Sequence, residues 1–204
     1  MKINFTKTSH ILFFATILPI ASYLIAWVFY KIFPDLPFWI ESVSPLYAYL
    51  ILFTLFEKFA WHWKIFTIFK IVTVPDLRGR WIGKQRSSYK ENGLNMESDV
   101  AIEIKQSFSK IITRAYYQKS LSESVVADFY ELNNENYLFF SYDNDPNSLK
   151  SGTMERHRGT TKLQYFQKER RLSGSYFNSI GNIGEIEVTF QKSECIGRLN
   201  EETK

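Results

Sequence analysis

The chain has 204 residues, of which 45% are hydrophobic, and its formal net charge is +4. That length allows one or two domains. Residues 1–75 hold six lysines and three acids, whereas residues 76–204 hold nineteen Lys/Arg and eighteen Asp/Glu. The nearly balanced second part argues against a nucleic-acid polymer as main partner, because a phosphate backbone requires concentrated positive charge. The single cysteine, Cys195, argues against a disulfide framework and a cysteine-based zinc site.

The first predicted element is a transmembrane helix. Residues Ile11–Tyr30 contain no Asp, Glu, Lys or Arg, and about 20 apolar residues suffice for a helix to cross a bilayer. A signal peptide is the alternative, but its apolar core is shorter and ends in small residues, whereas this run ends in Trp27, Phe29 and Tyr30. We therefore expect a membrane span.

A second uncharged run, Ser42–Phe56, follows the short connector Phe33–Pro37. So short a connector predicts an antiparallel hairpin of two transmembrane helices. Lysines at 58, 64 and 70 then alternate with aromatic residues, which is typical of a helix that leaves the bilayer and lies along its surface. The alternative is one long tilted helix whose lysines reach the interface. Residues 1–75 are predicted to form this membrane domain.

Positive residues flank the two predicted spans unevenly. Two lysines precede the first span, only Lys31 lies between the two spans, and three lysines and two arginines follow the second between Lys58 and Arg80. Positive residues stay on the cytoplasmic side. Both termini are therefore predicted to be cytoplasmic.

Residues 76–192 are predicted to form an all-β domain of about eight antiparallel strands, either an up-and-down barrel or a sandwich. Val100, Ile102 and Ile104 alternate with polar residues that include Glu103, and Ile186, Val188 and Phe190 behave likewise. Asn92-Gly93 and Asn133-Asn134 are typical of hairpin turns. Residues 193–204 are predicted to be a flexible tail. The predicted strands are 79–88, 97–107, 110–118, 124–132, 136–143, 159–167, 171–178 and 184–191.

An eight-stranded barrel either fills with side chains or holds one small ligand. Arg114 lies in phase with Ile112 and Tyr116, and Asn178 with Tyr176, so these polar residues are candidates for the inward face. For each one, a solvent-facing or core position is the structural alternative. Together, arginines and tyrosines favour a polar cavity for an anionic, aromatic ligand. The predicted ligand-binding residues are Arg78, Trp81, Arg114, Tyr116, Arg156, Arg158, Tyr165, Tyr176 and Asn178.

Catalytic signatures are missing from the sequence. His157 is the only histidine outside the membrane region, and no nucleophile elbow, Gly-rich phosphate loop or metal-ligand spacing accompanies it. We therefore expect no enzyme activity, no cofactor and no metal site. Trp81, between Gly79 and Gly83, is similar to the tryptophan that closes one end of small ligand-binding barrels.

The order of the predicted elements carries a family resemblance. Two spans and a basic, aromatic linker precede Leu77–Gly83, which opens the β-domain, and Arg158–Leu163 and Leu172–Phe177 follow late in it. Together they resemble the two-transmembrane β-barrel effectors of bacterial cyclic-oligonucleotide antiphage signalling (CBASS). The resemblance rests on architecture more than on one diagnostic motif, and it covers essentially the whole chain.

The resemblance implies a function. A partner nucleotidyltransferase makes a cyclic dinucleotide during phage infection, and the β-barrel binds it. The protein then forms a homo-oligomer and disrupts the lipid bilayer of the inner membrane, which kills the infected cell.

Two other functions fit the residues. A membrane-anchored carrier of a lipid or other apolar ligand predicts an apolar cavity in the barrel. A scaffold predicts a barrel filled by side chains.

Overall fold

The computed structural model describes residues 8–35, 37–91, 94–146 and 156–199. The chain forms two compact units. Of the described residues, the helical unit comprises those up to Pro75 together with Ser107–Ser109, and the barrel unit comprises Asp76–Gln106 and those from Lys110 onward.

The helical unit is built from apolar helices. Helices α2 and α3 contact each other, and the ring of Phe13, before α2, contacts that of Phe56, just after α3, with the two centroids 5.0 Å apart. The chain therefore reverses direction between the two helices. The elements are α1 (Thr8–Ile11), a π-helical stretch (Leu12–Ile17), α2 (Leu18–Ile32), α3 (Phe38–Leu55), a second π-helical stretch (Phe56–Ala60) and α4 (Lys64–Ile68).

One helical segment of the described residues, Ile11–Ile32, is long and apolar enough to cross a membrane, judged by its 22 residues and mean hydropathy of 2.2. The predicted first span agrees with it. The predicted second span, and with it the transmembrane hairpin, is not confirmed. The residues after α3 do not form one continuous helix, because a turn at Trp61–Trp63 separates the second π-helical stretch from α4.

The turn Ser107–Ser109 belongs to the helical unit through its contacts. Phe108 is buried, and its ring packs against those of Phe14 and Phe56 at centroid distances of 5.5 and 4.9 Å. The carboxylate of Glu57 accepts hydrogen bonds from the hydroxyls of Ser107 and Ser109 at 2.5 and 2.7 Å.

The barrel unit is a closed antiparallel barrel in which each strand pairs with its neighbours in the chain and β8 pairs with β1. This confirms the predicted eight strands and decides for the barrel over the sandwich. The strands are β1 (Gly79–Glu91), β2 (Leu94–Gln106), β3 (Ile111–Tyr116), β4 (Ser120–Leu132), β5 (Glu135–Pro146), β6 (His157–Phe166), β7 (Arg171–Asn178) and β8 (Ile183–Lys192).

The barrel has a first end, where β1 begins, and a second end, where β1 finishes. At the first end, where β1 begins, Asn133 and Asn134 adopt φ of 53° and 64° between β4 and β5, which confirms the predicted turn. The predicted turn at Asn92-Gly93 lies outside the described residues.

Among the described residues, the ladder between β3 and β4 is the shortest in the barrel wall. Their ladder pairs Arg114–Tyr116 with Leu121–Glu123, and a bulge follows at Val125 in the pairing of β4 with β5. Beyond the ladder, the amide of Thr113 donates to the hydroxyl of Ser124 at 2.9 Å. A side chain here takes the place of a backbone carbonyl.

A buried ion pair on the outer wall holds the segment that follows β8. Arg80 and Glu103 are 2% and 4% exposed, with 3.0 Å between Nη1 of Arg80 and Oε1 of Glu103. Glu103 also accepts the amides of Ile196 and Gly197, while Arg80 donates to the carbonyl of Arg198 at 2.7 Å and to that of Leu199. Residues 193–199 thus cover these charges. The flexibility of the tail stays a prediction, and residues 200–204 lie outside the described residues.

Candidate ligand-binding site

The barrel interior changes from apolar to polar along its axis. Residues directly opposite each other in an antiparallel pair lie on the same face of the sheet, so the pairing identifies the inward side chains. At the first end these are large and apolar: Trp81, Ile102, Leu138, Leu163, Leu172 and Val188, each at most 1% exposed. At the second end they are polar: Gln85, Ser98, Ser122, Tyr142, Asn144, Thr161, Tyr176 and Asn178.

Two tyrosine rings lie inside the second end because glycines stand opposite them. Tyr142 pairs with Gly159, and Tyr176 pairs with Gly184. A Cβ at Gly159 would lie 2.2 Å from the hydroxyl of Tyr142, and a Cβ at Gly184 would lie 2.6 Å from the ring of Tyr176. Glycine in a strand here permits close approach of another group. The two glycines therefore leave the space that the two tyrosine rings occupy inside the barrel.

Tyr142 remains protonated at neutral pH. Burial raises the pKa of Tyr142 well above its usual value, and the neighbouring Tyr176 adds to that increase. Burial also raises the pKa of Tyr117, just after β3. A neutral phenol both donates and accepts hydrogen bonds, and the hydroxyl of Tyr176 already accepts one from Nε2 of Gln85 at 2.9 Å.

Asn144 carries an unused acceptor at the second end. Its Nδ2 donates to the hydroxyls of Ser120 and Ser122 at 3.1 and 2.8 Å. Its Oδ1 is buried and has no hydrogen-bond partner among the described residues. An unsatisfied buried polar atom in a native fold calls for an explanation, and a ligand donor is one.

A cavity of about 390 Å³ opens at this end of the barrel. Two ion pairs flank it, Arg156 to Asp145 at 3.0 Å and Arg158 to Asp143 at 3.1 Å, and both arginine side chains are more than 80% exposed. Exposed pairs of this kind contribute only about 0–1 kcal/mol, so an anionic ligand can compete for the guanidiniums. The lining residues are Asp143, Asn144, Asp145, Arg156, His157 and Arg158.

The domain that carries this cavity is recognisable by sequence comparison. Residues 72–190 match the family model described as "Cap15, cyclic dinucleotide receptor domain". The chain belongs to this family. It is also 28% identical over 151 residues to "CD-NTase-associated protein 15" of Staphylococcus schleiferi, covering 74% of this chain and 79% of that relative. The predicted resemblance to a CBASS effector is supported by both comparisons, and a receptor domain indicates a binding role.

Four of the predicted site residues lie at the second end of the Cap15-type domain. Tyr176 and Asn178 point into its second end, in the pairs Thr161–Tyr176 and Gly159–Asn178. Arg156 and Arg158 lie in the cavity wall. A contact of any of the four with a ligand stays a prediction.

Three other predicted residues lie at the first end. Trp81 is buried there, donates from Nε1 to the carbonyl of Leu77 at 2.9 Å and meets Tyr165 edge-on. Arg78 makes two hydrogen bonds to the carboxylate of Asp76, at 2.8 and 2.7 Å. The structure therefore does not bring these three to the cavity.

The expectation that Arg114 and Tyr116 face the interior is wrong. In β3 the inward, buried residues are Ile111, Thr113 and Ala115. Arg114 lies opposite Glu103 and Glu123 on the outer wall and donates to Glu123 at 2.7 Å. Strand β3 fills its inward positions with smaller side chains, and the larger polar ones project outward. A part of Arg114 and Tyr116 in ligand binding stays a prediction.

Sequence reasoning did not select several residues of the cavity and of the interior beneath it. The most informative is Asn144, which lies in phase with the buried Leu138, Phe140 and Tyr142 along β5. A polar residue that continues an apolar face is a detectable signal of an inward polar group. The others are Gln85, Ser122, Tyr142, His157 and Gly159.

Proposed function

We propose that this protein is a CBASS effector that binds a cyclic dinucleotide at the second end of its barrel. The observation that carries the proposal is the polar cavity flanked by Arg156 and Arg158, which lies within the residues that match the receptor-domain model. The apolar side chains at the first end form the core of the barrel.

Each part of a cyclic dinucleotide has a matching group in this region. The two exposed guanidiniums suit the phosphates, because arginine binds phosphate through two parallel hydrogen bonds and their exposed pairs with aspartates contribute little. Oδ1 of Asn144 is an acceptor for an exocyclic amine or ring N–H of a base. The hydroxyls and rings of Tyr142 and Tyr176 offer both hydrogen bonding and an aromatic surface.

The output of the bound state is proposed to be membrane disruption. In this proposal the helical unit crosses the bacterial inner membrane twice, through Ile11–Ile32 and a second span in α3, with both termini in the cytoplasm. Ligand binding favours a homo-oligomer, since a ligand shifts a population toward the state for which it has higher affinity. The ligand source is a cyclic-dinucleotide-forming nucleotidyltransferase, consistent with the name of the relative.

The structure favours this function over the two alternatives. A carrier of apolar ligands needs an apolar cavity, but Leu138, Leu163 and Leu172 fill the first end and are 0% exposed. A filled scaffold needs no cavity, whereas one lined by charged and polar residues is present at the second end.

Binding is tested with the full-length chain in detergent, titrated calorimetrically with a panel of cyclic di- and trinucleotides. At least one cyclic dinucleotide should bind, and Arg158→Ala should weaken it by about 1.5–3 kcal/mol, the usual contribution of a hydrogen bond to a charged group. Arg86→Ala is the matched control, because it removes an exposed, carboxylate-paired arginine from the outer wall, and its affinity should stay within about twofold. A folded chain that binds nothing in the panel contradicts the proposal.

Topology is tested with reporters in a bacterial host. A reporter fused after Lys204 should report cytoplasm, and one inserted in the connector at Asp35 should report periplasm. The reverse result at either position would contradict the proposed topology of two spans with both termini in the cytoplasm.

Membrane disruption is tested by co-expression with an active nucleotidyltransferase that makes the bound ligand. The wild-type chain should depolarise the inner membrane and stop growth, and Arg158→Ala should not. A catalytically inactive nucleotidyltransferase is the control. If the wild-type chain stops growth equally with the inactive nucleotidyltransferase, membrane disruption does not depend on the ligand and the proposal is contradicted.

A further inference from the structure

The turn between β2 and β3, Ser107–Ser109, folds with the helical unit, whereas both strands that it joins belong to the barrel. Glu57, in the second π-helical stretch, binds this turn. The carbonyl of Glu57 accepts the amide of Phe108 at 3.0 Å, and its Oε1 accepts the amide of Ser109 at 3.2 Å in addition to the two serine hydroxyls. One residue of the helical unit therefore holds the end of the β2–β3 hairpin by four hydrogen bonds.

The ring of Phe108 completes an aromatic cluster in the helical unit. It packs against Phe14, which lies in the first π-helical stretch, and against Phe56, which begins the second. All three residues are buried. π-Helical turns are rare and frequently occur at functional sites. A displacement of Phe108 would therefore change the packing of both π-helical stretches at once.

The opposite end of β3 is bonded to a residue that lines the proposed ligand site. The amide of Tyr117, just after β3, donates to the carbonyl of Ser120 at 2.9 Å. The hydroxyl of Ser120 accepts Nδ2 of Asn144 at 3.1 Å, and Asn144 lines the cavity. Burial raises the pKa of Tyr117, and the nearby Tyr142 and Tyr176 add to the increase. A ligand that binds Asn144 would therefore act on residues that are bonded to the end of β3.

Strand β3 connects these two ends directly. Its residues, Ile111–Tyr116, span about 20 Å at the usual rise of a strand. Its whole length pairs with β2, whereas among the described residues its ladder with β4 comprises Arg114–Tyr116 alone on the β3 side. Few hydrogen bonds must change for β3 to move against β4, so a displacement at Tyr117 can reach the turn at Ser107–Ser109 along one strand.

We propose that β3 transmits ligand binding at the cavity to the helical unit, and that Glu57 and Phe108 are the positioning residues that receive it. This inference rests on the proposed function, because it requires a ligand in the cavity. A ligand that orders Tyr117 and Ser120 orders β3 with them, which strengthens the hold of Glu57 on the turn. Coupling between two sites is reciprocal, so loss of that hold weakens ligand binding by the same factor. A contact that only stabilises the helices would leave ligand affinity unchanged.

Reciprocity is tested by calorimetry on the full-length chain in detergent, with the cyclic dinucleotide that the panel selects. Glu57→Ala removes the acceptor carboxylate and should weaken ligand binding at least about fivefold, the lower end of typical coupling between sites. Glu57→Gln keeps a side-chain acceptor and should bind within about twofold of wild type. Phe59→Ala is the matched control, because Phe59 lies in the same π-helical stretch but is exposed, and its affinity should also stay within about twofold.

Two measurements do not depend on how well Glu57→Ala folds. In wild type, the amide NMR signals of Phe108 and Ser109 should shift when the ligand saturates the chain, whereas that of Arg170 should not. Arg170 is the internal control, because its amide is bonded to the carbonyl of Gln167 in the β6–β7 turn at the same end of the barrel. Ser109→Ala, which removes one hydroxyl donor to Glu57, should weaken ligand binding in smaller measure.

The outcomes separate this inference from the proposed function. Wild type that binds no cyclic nucleotide overturns both. Wild type that binds ligand without a shift at Phe108 and Ser109, or with an equal shift at Arg170, overturns only the transmission through β3. Glu57→Ala that binds ligand as tightly as wild type or tighter, or an equal loss of affinity in Glu57→Gln or Phe59→Ala, also overturns it.

Discussion

The two ends of the barrel interior share one wall but differ in content. At the first end, inward positions carry Trp81, Leu163 and Leu172, which exclude solvent and fill the space. At the second end, Gly159 and Gly184 leave room for tyrosine rings, and polar groups reach a cavity. The alternation of inward and outward residues continues through both. Side-chain size and polarity at inward positions, and not strand geometry, therefore separate core from site.

The largest effect is expected from emptying the first end. Leu163→Ala removes a fully buried side chain and should lower the free energy of unfolding by about 2–5 kcal/mol, because lost burial and the residual cavity both contribute. Denaturant unfolding followed by tryptophan fluorescence measures it. Leu132→Ala, at the half-exposed end of β4, is the control and should change stability by less than about 0.5 kcal/mol. If both variants lose the same free energy of unfolding, Leu163 does not contribute more to the core than the half-exposed Leu132.

A next, smaller effect is expected from filling the space opposite Tyr142. Gly159→Ala should destabilise the barrel by about 1–3 kcal/mol and weaken ligand binding at least tenfold, since the new methyl group displaces the ring. Adding Tyr142→Leu should recover part of the stability but not the binding, and a double-mutant cycle measures this coupling. Additive losses of stability would show that the glycine does not accommodate the ring.

A third prediction separates binding from stability. Asn144→Ala removes the unused acceptor and should weaken cyclic dinucleotide binding by about 1–3 kcal/mol, read by calorimetry. Asn136→Ala, near the first end of the same strand opposite Glu131, should leave affinity unchanged. If both variants bind as wild type does, Asn144 does not contact the ligand.

The smallest effect is expected from alkaline pH. Burial raises the pKa of Tyr142 in the folded barrel, so the unfolded chain loses this proton first, near its ordinary pKa of about 10. The stability contributed by the neutral phenol is complete below that pH and decreases as pH rises above it. Tyr142→Phe should therefore lose less stability than wild type between about pH 9 and 11, measured by denaturant unfolding. Identical slopes would indicate that Tyr142 is solvated.

Much of the fold was predictable because each strand contains its own alternation. Val100, Ile102 and Ile104 were expected inward and are at most 1% exposed. Glu103 was expected on the opposite face, and it lies there, yet it is buried because residues 196 and 197 cover it. No local pattern reports a contact between residues more than ninety positions apart.

The site was predictable only in part because alternation does not identify the inward face of an ambiguous strand. In β3, the set with Ile111 and the set with Ile112 both contain apolar residues, so Arg114 could be assigned to either face. The deciding fact is the cross-strand pairing of Arg114 with Glu103 and Glu123. Where one face is unambiguous, as for Tyr176 in β7, the assignment succeeded.

The irregular join of β3 and β4 has a consequence for hydrogen exchange. Protection of an amide reflects the free energy of the local opening that exposes it. The β3–β4 ladder is much shorter than that of β4 with β5, and the amide of Thr113 relies on the hydroxyl of Ser124. We therefore expect the barrel wall to separate first at this join, so that the barrel opens along one line before it unfolds as a whole.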